Sequence, residues 1–326
     1  MKLLIAVPLT LFAAHVAVFS SALAQGQNQT QAQYPSRPVR IVTVGAGSQN
    51  DIVARLLIPQ LSAIWRQPVV IENRPGVGGA LAASIVAKAT PDGYTVLMLS
   101  NQFAIGAAIH ANLPYDPIKD FAGVTRIGFS TQAVTVPPSL GVKSVADLIT
   151  HAKAAPKPIL HSSSGAGSGV HMSNEMFRLA GGFRATHVAF RSSAEATIEV
   201  AAGRVQFSVL PLGPSLPFIK EGRILALAVA NQRSPHIPDV PAITEVLPAY
   251  ERAGSYGVLA PVGTPRAVLQ QMSKAFRTVL DSAELKDKFA AMSFAPSGST
   301  PEEFDKIIRS DIDTFVRMAK VAGLRK

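Results

Sequence analysis

The chain has 326 residues, a formal charge of +10, 48% hydrophobic composition and no cysteine. Without cysteine, neither disulfides nor thiol chemistry can hold or run the protein, so a hydrophobic core must stabilise it, and the composition is ample for one. The positive charge raises nucleic acid as a partner. However, Lys and Arg are scattered singly with no basic cluster and interleaved aromatics, which reads better as a generally basic export protein whose field attracts small anions.

Met1 and Lys2 give a positive start, Leu3 to about Phe19 is apolar, and Ser20-Ser21-Ala22-Leu23-Ala24 supplies small residues before Gln25. This is the pattern of a cleavable secretory signal peptide over 1–24, cut after Ala24, and the apolar run is short for a membrane span. Residues 25–33 are polar and of low complexity, a disordered linker behind the cut. The remaining 302 residues (326 minus 24) suffice for two domains.

Val39 to Val44 is an expected strand, followed by a helical stripe over Ile52 to Trp65 that Pro59 should kink or interrupt. A strand at Val69 to Ile71, a turn at 73–79, a helix over Ala80 to Ala89 and a strand at Thr95 to Leu99 complete a βαβ rhythm. After an extended, uncharged Ile127 to Pro138 the rhythm recurs: strand Ile159 to Ser162, Ser/Gly loop, helix Val170 to Ala180, strand His187 to Phe190, helix Ala194 to Ala202, and strands Val205 to Leu210 and Ile224 to Ala230. A proline-punctuated stretch leads to strand Gly257 to Ala260, then helices Arg266 to Leu280 and Pro301 to Ala322. The second has Thr300 as N-cap, Pro301 at its first position and Glu302-Glu303 in its first turn. The late helices lack a sheet of their own and should pack back on the first domain. The chain then crosses between domains twice, with a cleft between them.

The glycine-rich turn in IVTVGAGSQNDIVAR invites a dinucleotide reading, but Asn50 stands where the third glycine is required, and Asp51 would face the pyrophosphate. No Walker lysine follows it. A nucleophile elbow needs glycine two residues either side of the serine, and Ser168 has Ala166 and Val170 there. The histidines are dispersed without ligand spacing for a metal. What remains is anion recognition at helix N-termini off the carboxyl ends of strands, with small-residue openings at Gly47 to Asn50, Gly76 to Ala80 and Ser163 to Gly169, and Arg191 as a candidate charge.

These stretches also carry a resemblance. YPSRPVRIV, the Asn-Asp-Ile-Val-Ala-Arg end of the first loop, QPVVIENRPGVGG, PDGYTVLM, YDPIKDF, SSSGAGSGVHMSNEMF, GRILALAV, RSPHIPDVPAITE, YGVLAPVGTP and TPEEF follow one another over nearly all of the mature chain. In that order they resemble the Bug/TctC family, the exported solute-binding receptors of tripartite tricarboxylate transporters. The resemblance implies an α/β type II periplasmic-binding-protein fold, two α/β domains joined by a two-crossing hinge with the ligand cleft between: domain 1 over 34–127 and 256–326, domain 2 over 128–255. It implies first-domain ligand contacts from Gly47, Ser48, Gln49, Asn50, Asp51, Gly79 and Asn101, and second-domain contacts from Ser163, Gly167, Ser168, His171, Arg191 and Ser192. Three departures stand out: Ser48 replaces a usual glycine, Val44 a usual aromatic, and Ser208 to Pro211 lacks the aspartate that meets an amino-acid ligand's ammonium in relatives.

The expectation is a monomeric periplasmic solute-binding protein, not an enzyme, for a small organic carboxylate (dicarboxylate, tricarboxylate or aromatic). It needs no cofactor, metal or nucleic acid and delivers its ligand to a membrane permease. The alternatives are a secreted serine hydrolase or esterase using the Ser163–Ser168 loop, and a ligand sensor for a signalling partner such as a sensor kinase. For Asp51, pairing with the helix dipole is favoured over ligand contact, since like charges repel.

Overall fold

Strand β1 (Val39–Thr43) is buried on both faces, as a central parallel strand must be, and the Thr43 hydroxyl is satisfied by donating to Met98 O at 2.8 Å. In a computed structural model, residues 34–75, 79–110, 112–230, 233–250, 255–321 and 323–324 are described. The signal peptide and linker expected at 1–33, and the Gly76–Gly78 part of the second opening, lie outside them.

β1 pairs in parallel with β2 (Val69–Asn73) and β3 (Thr95–Leu99). Strand β10 (Tyr256–Pro261) then runs antiparallel between β3 and β4 (Phe121–Ser130), and β11 (Phe294–Pro296) closes the edge. The six-stranded order is β11-β4-β10-β3-β1-β2. Helices α1 (Gln49–Trp65), α2 (Ala80–Ala87) and α3 (Gln102–Ile109) connect its parallel part. Helix α1 is unbroken through Pro59, contrary to the expected interruption. Pro59 and Arg55, whose carbonyl loses its N–H partner, both reach the surface, so water can solvate that carbonyl.

The second sheet is built on β5 (Gln132–Val136), antiparallel to β8 (Ser208–Pro211) and β9 (Leu225–Val229). A parallel pair, β6 (Ile159–Ser163) and β7 (Ala185–Ala189), joins it through the His161–Phe207 bridge. Around it pack α4 (Val145–Ala154), α5 (Gly169–Gly181), α6 (Ser193–Ala201) and α7 (Leu212–Lys220), with the short α8 (Ile243–Val246) on the return. The expected domain boundary at 127/128 falls inside β4, and that at 255/256 coincides with the start of β10.

The late helices α9 (Arg266–Leu280), α10 (Ala283–Ala291) and α11 (Pro301–Val321) return to the first sheet. Phe276 meets Trp65 of α1 edge-on at 5.8 Å between ring centroids. Thr300 is the expected N-cap, and Glu303 reciprocates: Thr300 N–H donates to Glu303 Oε2 at 2.8 Å and Glu303 N–H to Thr300 Oγ1 at 3.3 Å. Asp305 then accepts from Gly123 N–H at 2.7 Å, pinning α11 to β4.

Gly257 is required by this packing, because a Cβ there would overlap the Phe304 ring of α11. Gly257→Ala should therefore lower stability by about 1–3 kcal/mol or more through overpacking. Urea unfolding checks it. Combined with Phe304→Leu, the cost should fall below the sum of the two single variants, because the smaller side chain vacates the space.

Candidate functional site

Two loops with the same four residues face one another from different sheets. Gly45-Ala46-Gly47-Ser48 leaves β1 and enters α1; Gly165-Ala166-Gly167-Ser168 leaves β6 and enters α5. Their hydrogen bonds match one for one. Ser48 N–H donates to Gly45 O and Ser168 N–H to Gly165 O, each at 3.2 Å. Gly47 and Gly167 take φ of 76° and 73°, a left-handed turn that glycine adopts without strain. Ser48 Oγ accepts from Asp51 N–H and Ser168 Oγ from His171 N–H, each at 3.2 Å, so both serines are N-caps. The third helical residue then reaches back. Gly47 N–H donates to Asp51 Oδ2 at 2.9 Å, and Gly167 N–H donates to His171 Nδ1 at 3.0 Å.

Between these loops lies a cavity of about 250 Å³. It is walled by the N-termini of four helices: Ser48, Gln49 and Asn50 of α1, Asn101 and Gln102 of α3, Ser168, Gly169 and Val170 of α5, and Ser193 of α6. The first N–H groups of a helix have no intrahelical acceptor. Among the described residues, those of Gln49, Asn50, Gly169 and Val170 have no protein acceptor either. The walls approach closely, since a Cβ on Gly169 would lie 3.1 Å from Asn101 Nδ2. Serines, side-chain amides and two tyrosines dominate the lining, and no Asp, Glu, Lys, Arg or His side chain among the described residues belongs to it. The described part of the lining therefore offers dipoles and hydroxyls to an anion and no charged side chain. Among the described residues no group of His, Asp or Glu side chains is arranged to hold a metal ion.

The charges lie behind the walls. Burial works to raise the Asp51 pKa, but hydrogen bonds from Arg55, Gly47 and Asn73 prevail and hold it below the usual carboxylate range. Behind the second loop, His171 stacks on His187 with ring centroids 3.6 Å apart, and His161 lies beyond at 5.1 Å from His187. Burial first, and the neighbouring imidazoles second, bring His171 and His187 down to about 4. A neutral His171 is what the loop needs, since Nδ1 can accept from Gly167 only when unprotonated. Burial works to raise Glu175 as well, but His161, 3.3 Å away, and Arg178, 2.6 Å away, hold it at about 2.

Of the expected contacts, the structure brings Ser48, Gln49, Asn50, Asn101 and Ser168 to the cavity. Gly47, Gly79, Asp51, Ser163, Gly167 and His171 do not line it, and neither do Arg191 and Ser192. Asp51 is consumed by Gly47, Arg55 and Asn73, consistent with a helix-start carboxylate. Gly79 is packed against Leu99 and Val44. Arg191 is exposed; its N–H donates to Glu195, and Ser192 caps α6 by accepting from Glu195 N–H. Ser163 is fully buried against His187 Nε2 at 2.6 Å, so the serine with a base has no access to substrate. Ser168 has access but serves as a helix cap. A nucleophilic constellation is thus not assembled among the described residues of this loop. Sequence reasoning missed Ser100, Gln102, Ser130, Gln132 and Tyr256, which reach the cavity from strand ends far apart in the chain.

Comparison with known proteins follows the same lines. The profile of the TctC family, described as the tripartite tricarboxylate transporter family receptor, matches residues 53–324. Protein BugT of Bordetella pertussis is 29% identical over 297 residues, covering 90% of this chain and 91% of BugT. A UPF0065 protein of Bordetella bronchiseptica is 31% identical over 299 residues, covering 90% of this chain and 89% of its own. Among solved structures, Rpa4515 of R. palustris with adipate is 33% identical, with a TM-score of 0.74, covering 89% of this chain and 98% of that one. A TctC solute-binding protein from Polaromonas shares the fold at a TM-score of 0.79 and 21% identity, covering 88% and 99%.

The histidine pair makes stability depend on pH. Unfolded, each imidazole titrates near 6.5; folded, near 4. Between those values the unfolded chain binds more protons, so stability should be full above about pH 6.5 and fall as the pH drops toward 4. The Glu175 contribution is lost lower, as the pH falls from 4.5 through about 2. Urea midpoints at stepped pH check this. His171→Asn, whose amide oxygen can accept from Gly167 as Asp51 does from Gly47, should remove the His171 share of the upper window, leaving that of His187, and leave the lower one.

Proposed function

The chain belongs to the tripartite tricarboxylate transporter receptor family, and from that premise we propose that it captures a small dicarboxylate in the cavity between its two sheets for delivery to a membrane permease of the tripartite type. The observation that carries this reading is the pair of Gly-Ala-Gly-Ser turns, which open helix N-termini toward one cavity from opposite walls. A ligand with an anionic group at each end gives both walls something to hold. The adipate bound by Rpa4515 is a molecule of that kind.

The lining, uncharged among the described residues, narrows the class. An ammonium group would meet no carboxylate among them, at a desolvation cost of several kcal/mol. Pro211 lies in the lining, and the stretch 208–211 that it ends lacks the aspartate which the family resemblance leads one to expect near there in amino-acid binders. Plain dicarboxylates are therefore favoured over aspartate or glutamate. Hydroxyls and amides such as Ser100, Asn101 and Gln102 can serve both oxygens of a carboxylate without locking it in an ion pair. The reading places the mature protein in the periplasm, behind the leader expected at 1–24.

A thermal-shift and calorimetry panel tests it. Four- to six-carbon dicarboxylates should stabilise the protein by a concentration-dependent amount; aspartate and glutamate should not. Stabilisation by the amino acids alone, or by no carboxylate, would overturn the reading. Ser48→Gly and Ser168→Gly each remove a hydroxyl, while glycine keeps most of the cap, so folding should lose only a few tenths of a kcal/mol. Dicarboxylate affinity should fall about ten- to hundred-fold in each, as expected for losing a hydrogen bond to a charged group. A loss in one variant alone would mean that a single wall holds the ligand.

A further inference from the structure

The chain passes from the first sheet to the second between Ser130, the last residue of β4, and Gln132, the first of β5. It re-enters the first sheet at Tyr256, the first residue of β10. All three side chains line the cavity. Ser130 and Gln132 lie two apart in extended chain, and so point the same way. Each is taken by a helix start on a different wall. Gln49, the first residue of α1, donates from Nε2 to Ser130 Oγ at 3.2 Å. Ser173, early in α5, donates to Gln132 Oε1 at 2.7 Å.

The second crossing is tied to the same amide. Tyr256 donates its hydroxyl to Gln49 Oε1 at 3.0 Å. Burial pushes the Tyr256 phenol up, so it stays a donor at neutral pH, and its ring is set edge-on against Phe294 at 5.2 Å. The backbone at the first crossing is already satisfied: Thr131 N–H donates to Ser293 O at 2.9 Å, and Thr131 O accepts from Leu212 N–H at 2.8 Å. The side-chain ties are therefore additional to what the sheets require, and Gln49 spends both polar ends of its amide on the two crossings.

We propose that Gln49 is the positioning residue that couples ligand occupancy to both crossings, setting how the two walls stand relative to each other. The inference rests on the cavity being the ligand site. The chain of bonds runs one way, from Tyr256 O–H to the Gln49 carbonyl, and from Gln49 N–H to Ser130 Oγ. That leaves the Ser130 proton and a second Gln49 N–H as donors. An anion accepting the Ser130 proton polarises the whole chain and strengthens the ties on both crossings. Occupancy and wall position are then linked in both directions.

The absence of cysteine makes the test direct. Lys88→Cys beside the first sheet and Lys220→Cys at the end of α7, both at the surface, accept a donor and an acceptor dye. Single-molecule energy transfer then reads wall separation with and without adipate. Gln49→Ala should broaden or shift the resting distribution before any ligand is added. Ser130→Ala and Tyr256→Phe, which leave Gln49 in place and each cut one tie, should reproduce part of that change. Adipate dissociation should quicken about tenfold in Gln49→Ala, and the affinity losses of Gln49→Ala and Tyr256→Phe should be non-additive. If all three variants fold and keep the parent's resting distribution, Gln49 is only cavity wall and the proposal fails. Absence of adipate binding in the parent would count against the dicarboxylate reading, while the ligand-free arm would still decide the role of Gln49.

Discussion

A helix cannot satisfy its own first N–H groups, and the arrangement of this protein around its cavity follows from that constraint. Capping by Ser48 and Ser168 takes the third N–H of each helix and leaves the first two of each helix facing the space between the sheets. The strands then have to end at that space, which β1 and β6 do. The left-handed glycines at 47 and 167 let the chain leave a strand and start a helix in so few residues. Opening four helix N-termini on one cavity makes a site that favours negative charge with no positive side chain among the described residues of its lining.

The two loops solve one geometric problem with different chemistry. In the first, the acceptor for the glycine N–H is a carboxylate, held ionised by Arg55 and Asn73. In the second it is a neutral imidazole, held neutral by burial and by its neighbour His187. An ionised carboxylate behind a wall that meets an anion is tolerable because its charge is spent on Arg55 outside the cavity. Behind the second wall the ionised Glu175 is likewise spent on Arg178, and the group that touches the loop itself, His171, is neutral. The first wall is accordingly insensitive to pH near neutrality, and the second becomes sensitive on acidification.

Much of this was legible in the sequence because it is local. The cap at Thr300, the glycine-rich turns and the alternation of strand and helix all depend on residues within a few positions of one another, whereas the caps at Ser48, Ser168 and Ser192 emerged only with the structure. The helix Gln102–Ile109 was not legible, since QFAIGAAI is apolar all round and shows no periodic face. Helix Leu212–Lys220 was hidden by its prolines at 214 and 217, which the short helix tolerates near its start and toward the surface. Within the site, Ser130, Gln132 and Tyr256 depend on β10 inserting between β3 and β4, a non-local pairing that no spacing reveals. The expected charge from Arg191 failed for a local reason. The Ser192–Glu195 cap fixes the backbone there so that Arg191 stands in solvent, while its neighbour Ser193 faces the cavity.

On the proposed reading, an anion held by dipoles and hydroxyls from two walls is also easy to release. A buried ion pair would survive separation of the walls, because the cation would travel with one of them and keep its anion. Dipoles and hydroxyls act over a hydrogen-bond length, so parting the walls removes the contribution of one side almost completely. Affinity then falls steeply with opening, and no proton transfer or competing ion is needed. The side-chain ties at Ser130, Gln132 and Tyr256 stand where that opening must bend the chain. Their modest strength, about 1 kcal/mol each, suits the role proposed for them, holding a position at rest and yielding when the walls part.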